Sequence, residues 1–168
     1  MVRAPEVTVI NRQPDDSPLR SFAPLGDRLV VIDIGGEGRY PIAWNLNPSS
    51  LKTLGRDRGK PIPRHIPGRA EAIPLPDGSV DVVIVERTPL RRMALNEIAR
   101  VVSDKGTVIL RHARRPNQDC HSLARQIIPG EFTQRVVSLG RQSCQETVFR
   151  LATTIAGDID DLLARLAG

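Results

Sequence analysis

The chain has 168 residues, 40% hydrophobic, 26% charged and only 3% aromatic, with a formal net charge of +5. That length and apolar content suffice for one domain with a buried core and exclude wholesale disorder. The basic balance comes from arginines scattered along the chain with no aromatics interleaved to stack bases, which speaks against a specific nucleic-acid surface.

Residues 1–28 are broken by Pro5, Pro14, Pro18 and Pro24, with one strand-like run at Val7–Asn11. They read as an extended N-terminal arm ahead of a single domain over 29–168. Leu29–Ile34 is a continuous β-branched run, the mark of a strand buried on both faces of a parallel sheet. A glycine turn follows, then a second short strand at Ile42–Leu46. Ser49 or Ser50 can cap a brief helix in NPSSL. Glycine and proline across Gly55–Arg69 stop any regular element.

Asp81–Glu86 is again a buried strand. Leu90–Ser103 carries apolar residues at Met93, Leu95, Ile98, Ala99, Val101 and Val102, an amphipathic helix ended by a glycine turn at Asp104–Gly106. Thr107–His112 is the next strand. Asn117 can cap a helix to about Ile128, stopped by Pro129-Gly130. Thr133–Leu139 and Glu146–Ala152 alternate as an antiparallel pair, and Ile155–Leu166 closes the chain as a helix. No apolar run approaches about 18 residues and the N-terminus is too polar for a signal peptide, so no membrane span is expected. Cys120 and Cys144 lie in no CxxC motif, and no ligand-spaced histidines accompany them. No zinc site is expected, and two reduced thiols fit a cytoplasmic protein.

Three motifs in this order carry a resemblance. AEAIPLPDGSVDVVIVERTPL with ALNEIARVVSDKGTVILRHA, preceded by Asp33-Ile34-Gly35-Gly36-Glu37-Gly38 and by Trp44-Asn45-Leu46-Asn47-Pro48, resembles the class I S-adenosylmethionine (SAM)-dependent methyltransferases. The resemblance implies an α/β fold with a Rossmann-like methyltransferase sheet, mostly parallel with an antiparallel edge pair. It also implies SAM as cofactor, held by Asp33, Gly35, Gly36, Gly38, Asn45, Ala70 and Glu71. Open α/β sheets bind ligands at the carboxyl ends of their strands. Those ends offer Glu86 as base or polar anchor, Arg87 as an anion clamp and His112 as a base. Tyr40 can line the same pocket.

The pattern departs from the family at four positions. Glu37 and Arg39 stand where further glycines are expected, Asn45 where an acid bonds the ribose, and Arg69 where an aspartate reaches the adenine. Two functions are therefore open. One is methyl transfer to a small molecule or peptide. The other is a methyltransferase fold without methyl transfer, either repurposed for another reaction such as a cyclisation or serving as a non-catalytic subunit.

The spacing between strands adds a geometric expectation. Parallel strands need crossovers of about a dozen residues, usually helical, yet positions 35–41 hold three glycines and a proline. The sheet is expected to lack helices on one face. That bare face is expected to be covered by a second copy of the chain, as a homodimer, or by a partner protein, with the N-terminal arm or the C-terminal helix able to cover part of it.

Overall fold

The computed structural model describes Val7–Ile10 and residues 29–114, 120–151, 164, 166 and 167. Eight strands form one sheet: β1 (Val7–Ile10), β2 (Val31–Ile34), β3 (Trp44–Asn47), β4 (His65–Pro67), β5 (Val80–Glu86), β6 (Val102–Ala113), β7 (Glu131–Leu139) and β8 (Gln142–Arg150). Two helices join them, α1 (Arg92–Val101) and α2 (Cys120–Ile127). The strand order is β1-β7-β8-β6-β5-β2-β3-β4. β8 runs antiparallel to both of its neighbours; every other pairing is parallel.

The α/β sheet, mostly parallel with β7 and β8 as an antiparallel hairpin, is the one expected. The β7–β8 pair is not at the edge, however, because β1 pairs parallel with β7 from Val7↔Val136 to Ile10↔Leu139. The strand-like run of the N-terminal arm thus extends the sheet. Asn117 and residues 155–163 lie outside the described residues.

Among the described residues, no helix connects β2 to β3, β3 to β4 or β4 to β5. Side chains alternate across the strands. Ile32, Ile34, Val83, Val85, Val108, Leu110 and Phe149 pack on the face carrying Ala94, Leu95, Ile98 and Val101 of α1 and Ala124 of α2. Val31, Val82, Ile84, Ile109 and Val148 point the other way and cluster with Tyr40, Ala43 and Leu166. All five are at most 3% exposed within the single chain. This second face is covered within the chain by Tyr40 and Ala43 of the turn after β2 and by Leu166, one of three described helical residues at positions 164, 166 and 167.

Three local readings change. NPSSL does not begin a helix. The Asn47 carboxamide accepts from the Ser49 N–H at 2.9 Å and the Ser49 hydroxyl from the Leu51 N–H at 3.1 Å. These side chains offer the backbone an alternative to the helical ladder. The chain instead folds back on itself, with Lys52 N–H to Lys60 C=O at 2.8 Å and Ile62 N–H to Ser50 C=O at 2.8 Å. The segment read as irregular also contains β4, which pairs with β3. Finally, α1 stops at Val101 and Met93 is 65% exposed. Residues 103–106 form a bulge inside β6, because Val80 pairs with Val102 but Val82 with Thr107.

The segment between β4 and β5 is tied to α1. Arg100 donates to Glu97, to Asp77 and to the carbonyls of Ile73 and Leu75, while Glu97 accepts from the Ile73 N–H at 2.8 Å. No described helix is long and apolar enough to cross a membrane.

Candidate functional site

β2 ends at Ile34, and the chain turns at once through Gly35, whose φ of 72° suits glycine. The turn is built around its own side chains. A Cβ on Gly36 would lie 2.4 Å from Asn45 Oδ1 and 2.5 Å from Asp33 Cγ. A Cβ on Gly38 would lie 2.6 Å from Pro63, and one on Gly35 would strike the Thr88 hydroxyl. All three glycines are therefore required by contacts within the chain.

Tight return of the turn brings Arg39 over the strand ends. Its Nε donates to Asp33 Oδ2 at 2.8 Å and its Nη2 to Asp33 Oδ1 at 3.1 Å, a forked pair with a fully buried carboxylate. Arg39 Nη1 donates to the Glu86 carbonyl at 3.1 Å and lies 3.6 Å from Glu86 Oε1. Burial alone would lower the Arg39 pKa, but Asp33 and then Glu86 outweigh it and hold the guanidinium above its usual value. It is a permanent cation in the middle of the site.

Glu86, at the end of β5, is 5% exposed and engaged on three sides. Besides Arg39, the Tyr40 hydroxyl donates to Oε2 at 3.1 Å, and Arg111 Nη1 lies 3.8 Å from Oε2. Arg111 continues the network to Glu146 at 2.5 Å, and Glu146 also binds Arg135 at 2.5 Å. Charges buried this deeply persist only when paired.

Asn45 is fully buried. Its Oδ1 accepts from the Gly38 N–H at 3.0 Å and its Nδ2 donates to the Pro63 carbonyl at 2.8 Å. Glu37 points the other way. It accepts from the Thr53 N–H at 2.9 Å, the Thr53 hydroxyl at 2.6 Å and the Leu54 N–H at 3.3 Å. Burial raises its pKa, but these hydrogen bonds and then Arg39 win, and the carboxyl sits below its usual value.

A cavity of about 570 Å³ opens at the carboxyl ends of β2 and β5. Gly35, Glu37, Gly38, Arg39, Asn47, Lys52, Arg56, Glu86, Arg87 and Thr88 are among its lining residues. Of the residues expected to form the site, Gly35, Gly38, Glu86 and Arg87 therefore line one cavity. Asp33, Gly36 and Asn45 lie behind it, and Ala70 and Glu71 do not line it; Glu71 is exposed. Arg87 adopts a φ of 64° and donates to the Leu139 carbonyl at 3.1 Å.

His112 does not line the cavity. Its Nε2 is 2.6 Å from the Thr88 carbonyl and its Nδ1 is 3.0 Å from His121 Nε2. Tyr40 does not line the cavity; it is a buried donor to Glu86. Sequence reasoning missed Arg111 and Glu146. Arg111 follows the apolar run Val108–Leu110 of β6, and a charged residue there was the available signal, whereas Glu146 lies in the largely polar β8 and gave none.

The comparisons with known proteins agree with this fold. The model of a methyltransferase domain matches residues 19–110, more than half of the chain. No curated protein matches the sequence. Among solved structures, a SAM-dependent methyltransferase from Thermotoga maritima is similar over 76% of this chain and 84% of its own, with 18% identity and a TM-score of 0.57. A SAM-dependent methyltransferase from Aquifex aeolicus is similar over 74% of this chain and 82% of its own, with 15% identity and a TM-score of 0.52. At such identities these two likenesses speak for the fold alone, and it is the domain match, together with the strand order and the turn after β2, that assigns the chain to the methyltransferase-domain family.

Proposed function

We propose that this chain is a methyltransferase fold whose site has been turned away from SAM capture, keeping a pocket for a different polar small molecule. One observation carries the reading: Arg39 closes over Asp33 and Glu86. The groups that the family resemblance assigns to the cofactor are committed within the chain. Asp33 is bonded to Arg39, Asn45 to Gly38 and Pro63, and the three glycines to close contacts with neighbouring side chains. An Asn45 fully buried in this way, with both amide atoms bonded within the chain, offers no ribose contact.

The residues suited to proton transfer are committed as well. Glu86 is ringed by Arg39, Tyr40 and Arg111, and His112 is held by Thr88 and His121 behind the cavity wall. What remains open is a cavity with apolar as well as polar walls, within the ordinary size range of ligand sites, about 300–1,000 Å³. Arg39, Lys52, Arg56 and Arg87 line it together with Glu37, Asp57 and Glu86, so it offers groups of both charges to a hydrogen-bonding ligand.

SAM-dependent methyl transfer to a small molecule or peptide is the second reading. It is favoured by the domain match across β2 to β6 and by the cavity's place at the strand ends. It requires Arg39 to leave Asp33. The thermal midpoint with SAM at millimolar concentration separates the two. The first reading expects no shift, whereas stabilisation that rises with ligand concentration supports the second.

A further inference from the structure

We infer that His112, Cys120 and His121 form a binding site for a single zinc ion, behind the cavity wall. Their donor atoms, one from each residue, lie within 4.8 Å of one another. His112 Nδ1 is 3.0 Å from His121 Nε2 and 3.6 Å from Cys120 Sγ. With Zn–N of about 2.0–2.1 Å and Zn–S of about 2.3 Å, a tetrahedral ion separates two nitrogens by about 3.3 Å and a nitrogen from a sulfur by about 3.6 Å. The spacing of Cys120 Sγ from His112 Nδ1 already matches, the two nitrogens need to part by a few tenths of an ångström, and Cys120 Sγ and the His121 nitrogen, within 4.8 Å of one another, complete the triangle on closing toward the same 3.6 Å.

Both histidines are held from behind in the manner of metal ligands. A carbonyl only accepts, so the contact to Thr88 puts the His112 proton on Nε2 and turns the basic Nδ1 toward the cluster. His121 Nδ1 is 2.6 Å from the Thr147 hydroxyl, which in turn accepts from Gln134 Nε2 at 2.9 Å. A hydroxyl serves either tautomer of His121. With Nδ1 protonated, His121 presents Nε2 to the ion. Binding then releases one proton, that of the Cys120 thiol.

The donor set selects the metal. One thiolate and two imidazoles with no carboxylate suit a borderline-soft ion such as zinc, not magnesium or calcium. Both histidines are almost fully buried, while Cys120 is partly exposed and gives the ion a way in. The sequence hides this arrangement because His112 ends a strand and Cys120-His121 opens a helix, a spacing unlike ordinary zinc motifs. The neutral alternative is a simple histidine–histidine hydrogen bond.

Titration of the metal-stripped full chain separates the two. With zinc competed against a chromophoric chelator, one equivalent is expected to bind. Cobalt in its place is expected to give a thiolate charge-transfer band and tetrahedral d–d bands. Cys120→Ser abolishes the charge-transfer band and Cys144→Ser leaves it, while His121→Ala weakens zinc at least about tenfold. Zinc also raises the thermal midpoint of the parent chain but not of Cys120→Ser, which shows that both are folded. No binding by the parent, or a band that survives Cys120→Ser, overturns the assignment.

Discussion

Arg39 grips Asp33 through two nitrogens, Nε on Oδ2 at 2.8 Å and Nη2 on Oδ1 at 3.1 Å, where a glycine turn would ordinarily leave room for a ligand. The Arg39 side chain is 25% exposed and the Asp33 side chain 0%, so the pair forms a lid over the strand ends. Arg39→Ala is expected to remove the forked partner of the buried Asp33 carboxylate and one of the partners of Glu86. Such a loss costs about 3–5 kcal/mol when fully buried, and the partial exposure of Arg39 reduces it to roughly 2–4 kcal/mol. Arg39→Lys does not restore it, because an ammonium cannot make the forked pair. Urea unfolding of the three proteins checks both outcomes; equal stabilities would contradict the buried pair.

The turn itself is tightly constrained at Gly36. An alanine there places its methyl 2.4 Å from Asn45 Oδ1 and 2.5 Å from the Asp33 carboxyl, and both side chains are fully buried and cannot yield. Gly36→Ala is expected to destabilise by about 1–3 kcal/mol, the usual range for overpacking. A neutral effect would mean that the turn is looser than its contacts indicate.

Tyr40 anchors the sheet face opposite α1 and α2 to the site. Its ring is buried beside Val31, Val82 and Ile84, and its hydroxyl donates to Glu86 at 3.1 Å. Tyr40→Phe keeps the ring and removes one hydrogen bond to a charged group, an expected loss of about 1.5–3 kcal/mol. Tyr40→Ala costs more, because a buried aromatic is lost as well.

Burial pushes the His112 imidazole below its usual pKa, and the contacts to the Thr88 carbonyl and to Glu86 only partly oppose this. The unfolded chain then takes up a proton at higher pH than the folded one. Stability of the metal-free chain is accordingly full above about pH 6.5 and falls as pH drops through that value toward the folded pKa. His112→Gln is expected to flatten this dependence between about pH 7.5 and pH 5 in urea unfolding. An unchanged slope would place the titrating group elsewhere.

The strands were legible because their apolar, β-branched runs are buried on both faces, as in Val31–Ile34 and Val80–Glu86. The missing helices were legible too, since glycine and proline between β2 and β3 leave no room for one. Cover of the second face was legible only in part: the C-terminal helix was a candidate and Leu166 lies there, but its meeting with Tyr40 and Ala43 across more than a hundred residues is a tertiary outcome with no local signal. The same holds for the site. Asp33 and the glycines fit a cofactor pattern in sequence, but only the fold shows that Arg39, six residues on from Asp33, returns to cover it. His112, Cys120 and His121 likewise meet only once the end of β6 and the start of α2 are brought together.

The central claim is that the chain's own arginine and asparagine contacts have replaced cofactor contacts. Isothermal titration calorimetry of the full chain with SAM and with its demethylated product tests it most directly. The account predicts no binding heat from either ligand up to millimolar concentration. Saturable binding with a micromolar dissociation constant, about 8 kcal/mol of affinity, would contradict it.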